Sequence, residues 1–301
     1  LEGILPLWKP RGMTSHDCVF KIRKLLKTKK VGHTGTLDPD VDGVLPICVG
    51  RATKVAEYLT ESQKAYEGEV TIGTATTTED ASGEVVLEKT IIGQITIEEL
   101  KEVLHGFHGE ITQVPPMFSA VKVNGKRLYE FARQGIEVER PERTITIYEF
   151  KLLDSFDFLD HNNNSFRFFV KASKGTYVRT LAVDIGKALG YPAHMSNLTR
   201  VASGSFTSED CLTFEEIQER LEKGELELFP LERAISHLTK LKINEKLEMQ
   251  VKNGQVLSIP EGYENEKRFV LLNNNNDCVA IYIPHPTKQG LMKPEKVIRN
   301  T

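Results

Sequence analysis

Two periods share this chain, and their interleaving limits the folds open to it. From Tyr66 to Ile72, the residues Tyr66, Gly68, Val70 and Ile72 alternate with Glu67, Glu69 and Thr71, the two-residue repeat of a half-buried strand. From Ser15 to about Thr28 the apolar positions Val19, Ile22 and Leu26 recur at helical spacing instead, with Ser15 as the expected N-cap. Arg51 to Thr60 reads as a second helix, and Val178 to Leu189 as another, ended by Gly190 and Pro192. Thr96 with Glu99, and Thr213 with Glu216, each form a capping box ahead of an apolar run. Strand patterns return at Ile145 and Ile147 and at Phe166, Phe168 and Val170, so the chain is predicted to be mixed α and β.

At 301 residues the chain is about twice a typical domain, which predicts one large domain and one small one. The boundary is expected near residues 237–240. Beyond it lie about sixty residues of short β-like runs, among them Phe269 to Leu272 and Val279 to Ile283, a candidate small β-barrel. No apolar run approaches the roughly 18 residues of a membrane span, and no charged region followed by an apolar stretch opens the chain; a cytoplasmic protein is expected. Cys18, Cys48, Cys211 and Cys278 are too scattered for a zinc knuckle or a redox pair. The net charge of −3 argues against indiscriminate coating of nucleic acid. Locally, however, six basic residues and no acid lie between Lys21 and Lys30, which fits a specific polyanion partner.

The segment GHTGTLDPDVDGVLPICVGRATK, residues 32–54, is the most unusual stretch. Asp38, Asp40, Asp42 and Gly43 match the start of a calcium loop, but Pro46 and Val49 stand where its ninth and twelfth ligands belong. The other reading makes Asp38 a reactive carboxylate. Gly32, Gly35 and Gly43 let a ligand approach the backbone, and Pro39 and Pro46 stiffen the loop. An aspartate presented in this way can attack an electrophilic carbon and later leave, provided a cation keeps it ionised.

The blocks WKPRGMTSH (8–16), 32–54, KAY (64–66), QVPPMFSAVKVNGKRLYEFARQG (113–135), KGTYVRTL (174–181) and NLTRVASGSF (197–206) together resemble the tRNA pseudouridine synthase B family, in the family's order and over about two thirds of the chain. The resemblance implies an enzyme that flips out a uridine at position 55, in the T-loop of transfer RNA, and isomerises it to pseudouridine without metal or cofactor. It implies Asp38 as nucleophile, Tyr66 stacked on the target base, and Arg179 as a bidentate partner of the carboxylate. It also implies His33 filling the gap left by the base. Lys9, Lys54 and the basic helix become candidate phosphate contacts, with Tyr177, Leu198, Arg200, Gln113 and Lys122 as further RNA-binding positions. A single carboxylate suits attack at C1′ of the ribose or at C6 of the base. Val41 departs from the small residue usual in the family, and Asp40 and Asp42 beside it are expected to face outward.

The implied fold is α+β: a mixed, mostly antiparallel central sheet flanked by helices, with an inserted RNA-binding arm at about 113–140. The catalytic domain would span 1–238 and a PUA-like RNA-binding barrel 239–301. The T-arm stem-loop of tRNA is the expected partner, no membrane is involved, and a monomer is the default. An RNA-binding protein with a degenerate site and a calcium-binding module are the rivals.

Overall fold

In a computed structural model, which describes residues 1–299, the strands β1 (Gly3–Lys9), β2 (Val31–His33), β3 (Asp42–Val49) and β4 (Lys64–Ile72) join Gly109–Gln113, Arg143–Leu152, Ser165–Ala172, Ala193–Ser203 and Phe206–Thr207 in a nine-stranded sheet. Its path runs β1, β3, Ala193–Ser203, β4, Ser165–Ala172, Arg143–Leu152, Gly109–Gln113, with β2 added on β3. Every pairing is antiparallel except that of β3 with Ala193–Ser203, where Asp42 faces Thr199 and Gly43 faces Arg200. Gly43 makes that junction possible. Its φ is +117°, and a Cβ there would lie 2.2 Å from the Arg200 carbonyl oxygen, so a side chain would force the strands apart.

The alternation in β4 is realised: Val70 and Ile72 enter the core with Phe166, Phe168 and Val170 of the neighbouring strand, while Glu67 faces out. The helices are α1 (Ser15–Leu25), α2 (Ala56–Thr60), α3 (Ile97–Gly106), α4 (Leu128–Ala132), α5 (Val178–Leu189), α6 (Phe214–Lys223) and α7 (Glu245–Lys252). The capping boxes at Thr96 and Thr213 are both formed, and Gly190 ends α5 in the left-handed conformation. Two boundaries differ from expectation. Thr14, extended and bonded to Asp17, caps α1 in place of Ser15, because the Ser15 hydroxyl is used elsewhere. The stretch 51–60 opens as a 3-10 turn, Gly50–Val55, and becomes α-helical only in α2.

Within 113–140, Lys122–Val123 and Lys126–Arg127 pair across Asn124 and Gly125, both at positive φ, as a two-residue hairpin demands. The helix α4 follows directly. From Thr239 the chain builds a separate five-stranded sheet, Thr239–Lys242, Leu257–Ser258, Phe269–Leu272, Cys278–Pro284 and Leu291–Val297. The last two residues of the 239–301 segment lie outside the described part. This sheet does not stand alone: Val270, Leu272 and Ile281 share one apolar cluster with Ile4, Val44, Cys48 and Tyr58. At its rim Tyr58 donates to Glu295 at 2.7 Å and Arg268 reaches Glu61 at 2.7 Å. No helix among the described residues is long and apolar enough to cross a membrane.

Candidate active site

Asp38 stands in the turn between β2 and β3, and the turn is held from below. The Leu37 N–H donates to Ser15 Oγ at 2.9 Å, and Ser15 Oγ donates to the Leu37 carbonyl at 3.2 Å. Gly12 N–H and Lys9 Nζ donate to the Pro39 carbonyl at 2.9 and 3.1 Å, and Val41 N–H closes onto the Asp38 carbonyl at 3.1 Å. Leu37 and Val41 are buried on either side, which leaves residues 38–40 presented outward, with the Asp38 side chain 50% exposed.

It faces a cleft of about 540 Å³ lined by His33, Tyr66, Tyr177, Arg179 and Leu198, with Phe118 and Tyr129 contributed by the inserted segment. A second hollow of about 610 Å³ shares Asp38 and Arg179 and extends to Asp80 and Arg11. β4 supplies Tyr66, and the first turn of α5 supplies Arg179, whose side chain is only 9% exposed. Arg179 Nη2 lies 3.2 Å from Asp38 Oδ2. The expected two-pronged pairing is not formed. Nη2 also donates to the Phe118 carbonyl at 2.9 Å, while Nη1 donates to the Thr78 carbonyl at 3.1 Å and lies 3.7 Å from Asp80 Oδ2. The guanidinium is divided among three segments, so only one nitrogen is left for Asp38.

Asp80 went unread in the sequence. Its Oδ1 accepts from Thr78 Oγ at 2.7 Å, Ser82 Oγ at 2.6 Å and Ser82 N–H at 3.0 Å, which locks the carboxylate beside Arg179. The only local signal is a polar run that reads as an ordinary turn. Next to it Glu79 has φ 64° and accepts from Thr180 Oγ at 3.2 Å; burial raises its carboxyl above the usual range.

Several positions assigned to RNA contact are used within the protein. Lys9 is fully buried and its ammonium is spent on the Pro10 and Pro39 carbonyls, so it braces the Asp38 turn and does not meet a phosphate. Burial pulls its pKa below the usual lysine value. Lys54 Nζ donates to the Val297 and Ile298 carbonyls at 2.9 and 3.2 Å and ties β3's following turn to the C-terminal sheet. Arg200 is buried, with Nε on the Val44 carbonyl at 2.8 Å and Nη2 on the Gly35 carbonyl at 3.2 Å; burial lowers its pKa. Gln113 is buried too and clamps Tyr177 twice: Nε2 to the Tyr177 carbonyl at 3.2 Å and Tyr177 N–H to Oε1 at 3.0 Å. Lys122 alone of these is an exposed cation, on the hairpin of the inserted segment.

His33 lines the cleft with its Nδ1 buried and without a hydrogen-bond partner among the described residues. Burial, then the neighbouring His16 and Arg200, hold its pKa below the ordinary 6.5, which keeps the ring neutral and suited to stacking. Lys64, in the KAY block, donates to the carbonyls of Leu59, Thr60 and Ser62 at 2.9, 2.7 and 2.6 Å, capping α2 beneath the site. Burial, then the neighbouring positive charges of Arg200 and Lys174, push its pKa down to about 7. The aspartates of the supposed calcium loop diverge. Asp40 is exposed as expected; Asp42 is drawn inward, accepting from Thr199 Oγ at 2.6 Å and Arg11 Nη2 at 3.2 Å, while Asp38 turns to Arg179.

Residues 23–178 match the model of the TruB family pseudouridylate synthase N-terminal domain, and residues 179–239 that of the tRNA pseudouridylate synthase B C-terminal domain. The chain is 57% identical to the tRNA pseudouridine synthase B of Halalkalibacterium halodurans, over 100% of this chain and 98% of that protein. It is 55% identical to the one from Bacillus pumilus, over 99% of this chain and 98% of that protein. Among solved structures it is similar to a Cbf5-Nop10-Gar1 complex, with TM-score 0.76 and 28% identity, over 99% of this chain and 85% of that one. It also resembles an H/ACA RNP bound to a substrate RNA containing 2′-deoxyuridine, with TM-score 0.73, 25% identity and the same coverage.

Proposed function

The chain belongs to the TruB family of pseudouridylate synthases, and on that premise we propose that it isomerises a uridine of transfer RNA, at position 55 in the T-loop, to pseudouridine. One observation carries the reading: a carboxylate held outward on a braced turn, an arginine 3.2 Å from it and a tyrosine share one cleft of about 540 Å³. That volume is in the range of sites that enclose a small molecule, and an everted nucleotide is one.

In this reading the uridine leaves the stack and its uracil lies on Tyr66, with His33 against the bases left behind. The Asp38 carboxylate forms a covalent bond to the nucleotide, and the N1–C1′ bond breaks. The uracil turns and a C5–C1′ bond forms, Asp38 leaves, and the C5 proton is lost to solvent or a nearby base. The isomerisation is redox-neutral and consumes no co-reactant. Arg179 keeps the carboxylate aligned, and Asp80 keeps Arg179 in place. The segment 113–140 grips the RNA, and 239–301 acts as a PUA-like second contact. The protein works as a monomer in the cytoplasm, with no resident metal or cofactor.

The test is incubation with an unmodified tRNA transcript, followed by carbodiimide mapping of pseudouridine. Product at position 55 that vanishes in Asp38→Asn supports the reading. Tight binding of the transcript without any product favours the degenerate-site alternative.

A further inference from the structure

Outside the cleft, one surface of α1 is distinguished by what it leaves exposed. Phe20 is 58% exposed. It shares a helical stripe with His16 and Lys24, because residues four apart lie one above the other. Lys24 Nζ lies 4.5 Å from the centre of the Phe20 ring. Lys27, exposed and at φ 50°, follows just past the cap at Leu26. At its other end the stripe enters the cleft: His16 is part of the lining, its ring edge-on to His33 with centroids 6.1 Å apart. From His16 to Lys24 the rise is about 12 Å at the α-helical pitch.

One exposed carboxylate stands beside the stripe, Asp17, which accepts from Thr14 N–H and Oγ at 2.9 and 2.6 Å in the N-terminal cap; past that turn the charged residues of α1 are all basic. Arg23 is engaged, donating from Nη2 to the Val31 carbonyl at 2.8 Å. Lys21 marks the opposite flank, its Nζ 4.0 Å from the ring centre of Phe214 at the start of α6. There α6 exposes Glu215, Glu216 and Glu219. Repulsion thus disfavours RNA on the Lys21 side, and Lys24 and Lys27 favour it along the stripe. An aromatic ring flanked by lysines and continuous with a base-binding cleft is the arrangement that holds single nucleotides by stacking and by phosphate charge.

We propose that the His16–Phe20–Lys24 stripe continues the RNA interface beyond the cleft, with Phe20 stacking on a base neighbouring the everted uridine and Lys24 and Lys27 meeting the adjoining phosphates. The proposal rests on the RNA-modifying reading of the cleft. Its occupant is the substrate strand itself, chosen over a protein partner because the surface is basic and runs out of the cleft without a break.

The test uses the full chain and an unmodified T-arm hairpin. Phe20→Ala weakens binding by about fivefold or more, the lower end of what loss of a stacked aromatic costs per base, and Phe20→Tyr restores it. Phe20→Trp adds a second indole to that of Trp8, and the hairpin quenches its emission beyond any change seen in the wild type. Lys24→Ala lowers the slope of log K against log salt by about 0.7–0.9, the share of one phosphate contact. If Phe20→Ala and Lys24→Ala bind the hairpin like the wild type and the Phe20→Trp emission is indifferent to saturating hairpin, the proposal is overturned, even with pseudouridine forming normally. If the wild type forms no pseudouridine while Phe20→Ala still weakens hairpin binding, the catalytic reading fails and the surface assignment stands. Phe20 is exposed, so matching urea midpoints are expected for all its variants.

Discussion

Replacing Arg179 by lysine keeps the charge and removes the geometry. In the wild type two nitrogens of one guanidinium serve Asp38, the Phe118 carbonyl and the Thr78 carbonyl, at 3.2, 2.9 and 3.1 Å. A single ammonium on a flexible stem can hold one side of that set only. At least one carbonyl then loses its donor in a nearly dry place, at a cost of about 1–3 kcal/mol. The Asp38 contact adds little to stability, at most about 1 kcal/mol, since its carboxylate is half exposed. Arg179→Lys should therefore remain folded but lose about 1–3 kcal/mol, read as a lower urea midpoint at unchanged slope. Activity should suffer far more, because the carboxylate is aligned by that one nitrogen. Loss of one preorganised charge-stabilising group costs about 10²–10³-fold in rate. Single-turnover formation of pseudouridine at saturating tRNA measures this directly. A folded Arg179→Lys enzyme within about tenfold of the wild-type rate would refute the idea that the divided guanidinium positions Asp38.

Four further outcomes are expected. Asp38→Asn abolishes product while tRNA affinity, by filter binding, stays within about tenfold, because the residue supplies a bond and no phosphate contact. Lys9→Met leaves the Pro10 and Pro39 carbonyls without their donor, so it lowers stability by about 1–3 kcal/mol without changing the salt dependence of RNA binding; a shallower salt slope would restore Lys9 as a phosphate contact. Gly43→Ala costs more than about 2 kcal/mol in chemical denaturation, from strain at φ +117° and the clash with Arg200; a loss below about 1 kcal/mol would mean that the parallel junction yields easily. For His33 the folded pKa lies below the unfolded 6.5, so between those two values the unfolded chain binds more protons and stability rises with pH. His33→Gln should flatten that rise in urea titrations on the acid side of pH 6.5, and an unchanged profile would assign it to other groups.

Local regularities were legible because they depend on neighbours along the chain. The capping boxes at Thr96 and Thr213, the glycine stop at Gly190 and the alternation in β4 all arise from side chains within a few residues of the backbone they control. The family motifs likewise singled out Asp38, Tyr66 and Arg179, which the fold gathers around one cleft. At three positions the sequence suggested exposed charge where the fold uses it internally. Lys9, Lys54 and Arg200 are lysines and arginines of a kind that usually meets solvent, yet each ends on backbone carbonyls, in the case of Lys54 more than two hundred residues away.

Amino-acid order alone determined most of the elements and the capping boxes at Thr96 and Thr213, since these follow from torsional preference and short-range hydrogen bonding, while Asp38 was singled out among its neighbouring aspartates by the family motifs. Only the tertiary structure decided that Arg179 divides its two nitrogens between Asp38 and the carbonyls of Thr78 and Phe118, that Asp80 stands beside it, and that Phe20 is left bare one helical turn from the cleft-lining His16. The reason is physical: burial and long-range pairing are properties of packed surfaces, and two side chains a hundred residues apart acquire an interaction energy only once the sheet has brought them within a few ångströms.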